Sequence, residues 1–219
     1  MKIVAISDTH QRQGQIVLPK GDVLIHSGDM TMTGSMGSLA GVADWLEAQD
    51  FKHKIVIAGN HDWGFQNEYQ EVARNLFKEV GVTYLQDSEV VIDGIKIYGS
   101  PWQPLFYNWA FNLPRNGEEI ASKWKQIPND TNVLITHGPP HGILDLVQDI
   151  PSNAGRDLHQ GCERLAKRVK QLKKLRAHIF GHMHLQGGCT HEIDGVIFCN
   201  AAICTEHYLP TNKPIEIEL

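Results

Sequence analysis

Five short polar clusters in the sequence combine residue types that bind divalent cations: Asp8-Thr9-His10, Gly28-Asp29, Gly59-Asn60-His61-Asp62, Thr136-His137-Gly138 and Gly181-His182-Met183-His184. They offer carboxylates, imidazoles and one carboxamide, but no thiolate. This donor set suits manganese, iron, zinc, cobalt or nickel. A calcium site would want mostly oxygens, and a structural zinc site would normally include cysteine. The clusters therefore predict a transition-metal centre.

The candidate ligands are too many for a single ion. Seven positions qualify: Asp8, His10, Asp29, Asn60, His137, His182 and His184. A set of this size suits two ions that share one carboxylate. Two cations ~3.5–4 Å apart can hold both the attacking and the leaving oxygen of a phosphate group. We therefore expect two divalent cations and hydrolysis of a phosphate ester.

Each cluster follows the end of a short apolar run, at residues 2–6, 22–26, 54–57, 132–135 and 177–180. Continuous apolar runs of this length, rich in β-branched residues, predict strands that are buried on both faces. Open α/β sheets bind their ligands at the carboxyl ends of their strands. The predicted strands should therefore direct all five clusters into one crevice.

The intervening segments predict helices and hairpins. Apolar residues repeat at helical spacing within 39–46, 69–76 and 162–172. Hairpins are expected around the turns at Asp93-Gly94 and Asp194-Gly195, and 214–219 alternates as a terminal strand would. This order predicts an α/β fold with mixed sheets covered by helices. We expect one domain, residues 1–219, because no repeat, linker or low-complexity tract interrupts the chain.

Composition narrows the class of protein further. The chain has 219 residues, a net charge of −5 and 12 histidines, and the high histidine content directs attention to metal. The acidic balance argues against a stable nucleic-acid partner, which would favour a basic surface.

No apolar stretch approaches the ~20 residues that span a bilayer. The four cysteines form no C-x-x-C pair and no signal peptide precedes them, so we expect a cytoplasmic protein with reduced thiols. The oligomeric state stays open.

The order of the clusters, D-x-H, G-D, G-N-H-D, H and G-H-x-H, resembles the signature of the calcineurin-like metallophosphoesterase superfamily. The resemblance spans Asp8 to His184, which is most of the chain. It implies a four-layer α-β-β-α sandwich, in which two mixed β-sheets are flanked by helices. It also implies a hydrolase that holds two metal ions.

The resemblance further implies a role for each position of the signature. One metal would be held by Asp8, His10 and His184, and the other by Asn60, His137 and His182. Asp29 would bridge the two metals together with a water or hydroxide, which attacks phosphorus in line. His61 would face the leaving-group oxygen, and Asp62 would set the tautomer and orientation of His61.

A narrower resemblance lies in the linking segments 98–104, 106–112, 135–140 and 210–212, which are similar to the brain-type metallophosphoesterase-domain subgroup. It implies a phosphodiesterase that cleaves cyclic nucleotides, commonly with Mn²⁺ as the divalent metal. The molecule bound at the site would be a small phosphoester substrate. Two alternatives stay open: a phosphomonoesterase acting on phosphoprotein or a small metabolite, and a non-catalytic scaffold.

The long irregular stretch 100–115 carries five aromatic residues and would lie beside the metal cleft. Aromatic side chains can stack a nucleobase, although they can equally be plain core. The candidate substrate contacts are Asn108, Trp109, Phe111 and Arg115 in this stretch, together with His141 close to the candidate ligand His137.

The role implied for His61 leads to a testable prediction. His61→Ala should lower turnover about 10²–10⁴-fold, since that is the typical contribution of acid catalysis. Its metal content should be unchanged, because His61 is not expected to be a ligand. The measurement is kcat together with elemental analysis of the purified variant. A variant that loses its metals would contradict this role.

Overall fold

The computed structural model of the chain describes residues 1–148, 155 and 157–219. Within them the strands are β1 (Lys2–Ile6), β2 (Val23–His26), β3 (His53–Val56), β4 (Thr83–Tyr84), β5 (Ser88–Ile92), β6 (Ile95–Ser100), β7 (Gln103–Pro104), β8 (Asn112–Leu113), β9 (Val133–Thr136), β10 (Ala177–Phe180), β11 (Cys189–Ile193), β12 (Val196–Asn200) and β13 (Ile215–Glu218). The α-helices are α1 (Met36–Glu47), α2 (Gln70–Glu79), α3 (Glu118–Lys125) and α4 (Glu163–Val169).

The first large sheet has the strand order β13-β1-β2-β3-β4. Strands β1 to β4 pair in parallel, while β13 closes one edge antiparallel to β1. The predicted terminal strand is therefore an edge strand. Because β1, β2 and β3 are parallel, their carboxyl ends lie side by side, and the segments that follow them leave the sheet there.

The second large sheet has the order β11-β12-β10-β9-β6-β5. Its central strands β12, β10, β9 and β6 are parallel, and the two predicted hairpins, β5–β6 and β11–β12, supply its antiparallel edges. The carboxyl ends of β9 and β10 also share one edge. Strands β7 and β8 form a separate small parallel pair.

Alternate residues of the central strands serve two different cores. Ile3 and Ala5 of β1 lie in the cluster between the sheets, with Ile135 and Ile179 of the second sheet. The intervening residues of β1 pack against α1 and α2. A third cluster covers the outer face of the second sheet with α3 and α4. The layers run α-β-β-α, which confirms the expected four-layer sandwich with two mixed sheets.

The helix predictions hold in part. Helix α1 contains the predicted segment 39–46, and α2 begins at Gln70, one residue after the start of the predicted segment 69–76. Helix α4 covers only Glu163–Val169 of the predicted 162–172. Helix α3 was missed, because its buried apolar residues are a single pair, Ile120 and Trp124, in eight residues. One pair at this spacing is too short a pattern to predict a helix. No helix within the described ranges is long and apolar enough to cross a membrane.

Candidate dinuclear metal centre

The ends of five parallel strands bring the predicted ligands together. Among the described residues, three overlapping groups place their ligand atoms within 4.8 Å of one another. They are Asp8 with His10 and His184, His10 with Asp29 and His61, and Asp29 with His137 and His182. Sheet one contributes the ends of β1, β2 and β3, and sheet two those of β9 and β10. The site therefore lies where the two sheets meet at one edge.

Asp29 lies at the centre of this cluster. One carboxylate oxygen, Oδ1, accepts the backbone N–H of His61 at 2.8 Å and lies 3.5 Å from His137 Nε2. The other oxygen, Oδ2, lies 3.8 Å from Nε2 of both His10 and His61. Its two oxygens thus face different neighbours, as a shared ligand would require.

On one side of Asp29 lie Asp8, His10 and His184. His184 Nε2 is 3.2 Å from Asp8 Oδ1 and 3.4 Å from His10 Nε2. The carboxylate of Asp8 also accepts the backbone N–H of His182, with distances of 3.1 and 3.0 Å to its two oxygens. Asp8 therefore ties the end of β1 to the loop after β10.

On the other side lie Asn60, His137 and His182. The Asn60 side-chain oxygen is 2.9 Å from His137 Nε2. The rings of His137 and His182 are 5.0 Å apart. Ligand atoms bound ~2.0–2.2 Å from one ion lie roughly 3 Å from each other, which is the spacing seen here.

Hydrogen bonds to backbone carbonyls orient four of the imidazoles. Each ring donates its Nδ1–H to a carbonyl: His10 to Thr31 at 3.3 Å, His61 to Met32 at 2.8 Å, His137 to Ser27 at 3.0 Å and His184 to Thr205 at 3.0 Å. Such bonds orient each ring so that Nε2 faces the site, where the unprotonated Nε2 of a ligand histidine can bind a metal. The Nε2 lone pairs of His10 and His184 then face each other at 3.4 Å, an arrangement that a cation stabilises. The donor set fits divalent metals.

The backbone at the site is held in an unusual conformation. Asp8, His10, Asp29 and His182 have φ of 50°, 43°, 53° and 68°, in the left-handed region that side chains rarely adopt. Backbone strain of this kind concentrates at functional sites, where surrounding contacts enforce it. Sequence patterns give no direct sign of it.

The charges at the site are strongly coupled. Burial alone would raise the pKa of Asp29, but His137, His61 and His10 outweigh it and hold that pKa well below its usual value. Burial opposes protonation of His137, yet the carboxylate of Asp29 raises the pKa of His137 to about 9. Burial lowers the pKa of His182 to about 3, so this imidazole is neutral. The site thus buries ionised carboxylates, which nearby positive charge stabilises.

The prediction for Asp62 requires a correction. The carbonyl of Met32, not Asp62, accepts the Nδ1–H of His61. Asp62 instead accepts the backbone N–H groups of Met30, Thr31 and Gly59 and the Thr31 hydroxyl. Burial and the nearby Asp29 raise the pKa of Asp62 to about 6. Asp62 therefore shapes the loop that carries Met32, and acts on His61 only through that loop.

A cavity of about 620 Å³ opens beside the cluster and is lined by Asp29, Asn60, His61, His182 and His184. Trp109 is not among the lining residues, but its ring lies 4.1 Å from that of His61. Phe111 does not lie at the site: it is fully buried in the core beneath α1 and α2. Asn108 is exposed and is not among the residues that line the cavity.

The remaining two predicted contacts are engaged by the protein itself. Arg115 lines the cavity, but its guanidinium donates to the carbonyls of Gln160 and Gly161 and pairs with Glu163. His141 lies 3.3 Å from the carboxylate of Asp157 and is not a lining residue. Arg115 therefore joins two walls of the cavity.

Several cavity residues were missed by sequence reasoning. Phe106 is 46% exposed and meets the ring of His182 edge-on at 5.5 Å, and Tyr107 is 78% exposed. Tyr208 packs edge-on against His10 at 4.8 Å, and its own φ is 57°. The aromatic content of 100–115 indicated that residues such as Phe106 and Tyr107 could contact substrate, but it did not show which rings face outward. Tyr208 had no such signal.

Two solved structures share the fold of this chain. TT1561 of Thermus thermophilus aligns with a TM-score of 0.59 at 12% identity, covering 91% of this chain and 88% of that one. Another crystal structure aligns with a TM-score of 0.68 at 16% identity, covering 91% and 89%. These likenesses concern the fold.

The chain belongs to the calcineurin-like phosphoesterase family, whose family profile matches residues 1–186. It is 41% identical over 239 residues to metallophosphoesterase domain-containing protein 1 of Homo sapiens, covering 100% of this chain and 71% of that protein. It is 40% identical over 227 residues to UPF0046 protein K07C11.7 of Caenorhabditis elegans, covering 98% and 74%. The family resemblance noted in the sequence is therefore confirmed.

The packing around Gly181 leads to a prediction. A Cβ at this position would overlap the Asp8 carboxylate and the Ser7 hydroxyl. Gly181→Ala should therefore displace Asp8 and weaken Mn²⁺ binding by about tenfold or more, measured by calorimetry. The matched control is Gly41→Ala in α1, where a Cβ meets no atom within 4 Å. The control should bind Mn²⁺ normally, and unchanged binding in Gly181→Ala would contradict the ligand role of Asp8.

Proposed function

We propose that the chain is a dinuclear metal-dependent phosphodiesterase that hydrolyses small phosphodiesters, with cyclic nucleotides as the leading substrates and Mn²⁺ as the preferred metal. The observation that carries the proposal is the position of Asp29, whose two carboxylate oxygens face His137 on one side and His10 on the other. A shared carboxylate between two groups of ligands is the arrangement that two cations need. We assign the ligands as the family signature implies.

When bound, two divalent cations would activate water and polarise the phosphate. The chain itself supplies the proton-transfer group. His61 is held by its Nδ1–H on the Met32 carbonyl, so Nε2 is the atom that can carry a proton to the leaving oxygen. The ring of Trp109, 4.1 Å away, packs against the imidazole and limits its rotation. His61 is 8% exposed, which keeps most water from competing for the proton.

The cavity supports a substrate with an apolar, flat portion. Beside the ligand cluster its lining includes Leu105, Phe106 and Tyr107, which are 64%, 46% and 78% exposed. Exposed aromatic rings next to a phosphate-binding site suit a nucleobase, which can stack on them. A volume of about 620 Å³ lies within the range of small-molecule sites. A cytoplasmic location would suit such substrates.

A phosphomonoesterase would use the same ligands, so it is the main alternative. The two are separated by a paired assay on metal-stripped protein reloaded with Mn²⁺. The assay compares bis-p-nitrophenyl phosphate with p-nitrophenyl phosphate, each with and without metal. We expect metal-dependent turnover that favours the diester, followed by turnover of 2′,3′- or 3′,5′-cyclic nucleotides.

Preference for the monoester in that assay would overturn the phosphodiesterase proposal in favour of the phosphatase. Bound Mn²⁺ with no turnover of either ester would instead favour a non-catalytic scaffold. Asp29→Asn serves as the negative control, because it keeps the shape of the side chain but removes the shared charge.

The exposed aromatic residues of the cavity, Phe106 and Tyr107, lead to a prediction about substrate specificity. Phe106→Ala should raise KM for a cyclic nucleotide about 5- to 150-fold, since stacking contributes ~1–3 kcal/mol per base. KM for p-nitrophenyl esters should rise less, because a single small ring stacks over less area. Tyr69→Ala is the matched control: Tyr69 is 49% exposed but is not a cavity residue. Equal effects of Phe106→Ala on both substrates would argue against a nucleobase pocket.

A further inference from the structure

Two buried histidines outside the predicted ligand set make similar hydrogen bonds, one in each large sheet. His26 ends β2 and is 1% exposed, and His178 lies in β10 and is 0% exposed. Each ring nitrogen Nε2 contacts a threonine hydroxyl on the neighbouring parallel segment, Thr9 at 2.9 Å and Thr136 at 2.8 Å. Both Nδ1 atoms lack a hydrogen-bond partner within the part of the chain that the structure describes.

The threonine hydroxyls decide the direction of these hydrogen bonds. The hydroxyl of Thr136 also contacts the Gly138 carbonyl at 2.7 Å, and that of Thr9 contacts the Met30 carbonyl at 3.4 Å. A carbonyl can only accept, so the single hydroxyl proton goes to it. His178 must then donate, and its proton lies on Nε2. The longer contact of Thr9 with Met30 favours the same direction at His26.

The unpartnered Nδ1 atoms agree with this assignment. With the proton on Nε2, each Nδ1 is a bare acceptor rather than a buried N–H without an acceptor, and orphaned N–H groups are the rarer of the two in native proteins. Burial lowers the pKa of both His26 and His178 to about 3, so each ring is neutral and carries one proton. Both rings are therefore neutral Nε2–H tautomers.

The threonines place these contacts next to the candidate ligands. Thr9 lies between Asp8 and His10 and reaches the carbonyl of Met30, the residue after Asp29. Thr136 directly precedes His137. In the first histidine–threonine–carbonyl relay, Thr9 joins the segments that follow β1 and β2. In the second relay, Thr136 connects His178 of β10 to the Gly138 carbonyl on the far side of His137.

We propose that His26 and His178 are positioning residues for the metal centre, each acting as an Nε2–H donor to the threonine beside a ligand. The inference rests on the proposed function only in that the centre binds divalent metal. Neither imidazole is itself a ligand. Partners beyond the ligand shell of this kind usually change metal affinity about 10–100-fold when removed.

The tautomer is tested directly by long-range ¹H–¹⁵N correlation spectra of the metal-free full chain at neutral pH. We expect both histidines to show a protonated Nε2 and a bare Nδ1. His26→Gln and His178→Gln variants assign the two signals. An Nδ1–H tautomer or a doubly protonated ring for either residue would overturn the relay at that residue.

The positioning role is tested by Mn²⁺ titration calorimetry. His178→Leu should bind Mn²⁺ about tenfold more weakly, and His178→Gln should recover part of the loss, because its amide can donate to Thr136. The control is Leu134→Ala, a fully buried residue paired with His178 in the sheet. It should lower the melting temperature without changing Mn²⁺ affinity.

A second variant keeps the test decisive if His178→Leu folds poorly. Thr136→Val removes the hydroxyl at nearly constant volume, so it should weaken Mn²⁺ binding to a similar extent. His178 and Thr136 act through one hydrogen bond. The double variant should therefore lose less Mn²⁺ binding free energy than the sum of the losses in the two single variants. Normal Mn²⁺ affinity in Thr136→Val, or additive losses, would overturn the proposal. Wild-type protein that binds Mn²⁺ but cleaves no phosphodiester would defeat the proposed function and leave the relay standing.

Discussion

The buried carboxylate of Asp29 is the interaction on which the rest of the site depends. It is 2% exposed, remains ionised, and accepts the backbone N–H of His61 at 2.8 Å. A buried charge is costly unless it is paired, so the imidazole of His137, whose pKa this carboxylate raises, must stay close to it. This requirement draws loops from both sheets towards one point.

The fold meets that requirement by joining two mostly parallel sheets face to face. Alternate residues such as Ile3 and Ile135 fill the core between them, which holds the sheets in one relative position. Their carboxyl ends then share an edge, and the ligand-bearing loops of both sheets emerge there. The strained backbone at Asp8 and His182 is tolerated because side-chain and main-chain hydrogen bonds cross between the sheets at this edge.

A layer of polar contacts lies behind the candidate ligands. Backbone carbonyls hold the Nδ1–H groups of His10 and His61, and Asp62 organises the loop that supplies the carbonyl to His61. The threonines next to the ligands extend this layer to His26 and His178. The geometry of the site thus depends on residues that are never expected to touch metal or substrate.

The sequence by itself determined the five strands that precede the ligand clusters, the two hairpins and the identity of those clusters, because residue type and short apolar runs are local properties. It did not show α3, whose pattern is too short, or the contacts of Asp62, which reach residues about thirty positions away. Only the tertiary structure decided that Phe111 is core while Phe106 faces the cavity. Both are aromatic residues of one irregular segment, and the face each presents depends on packing against distant elements rather than on local period.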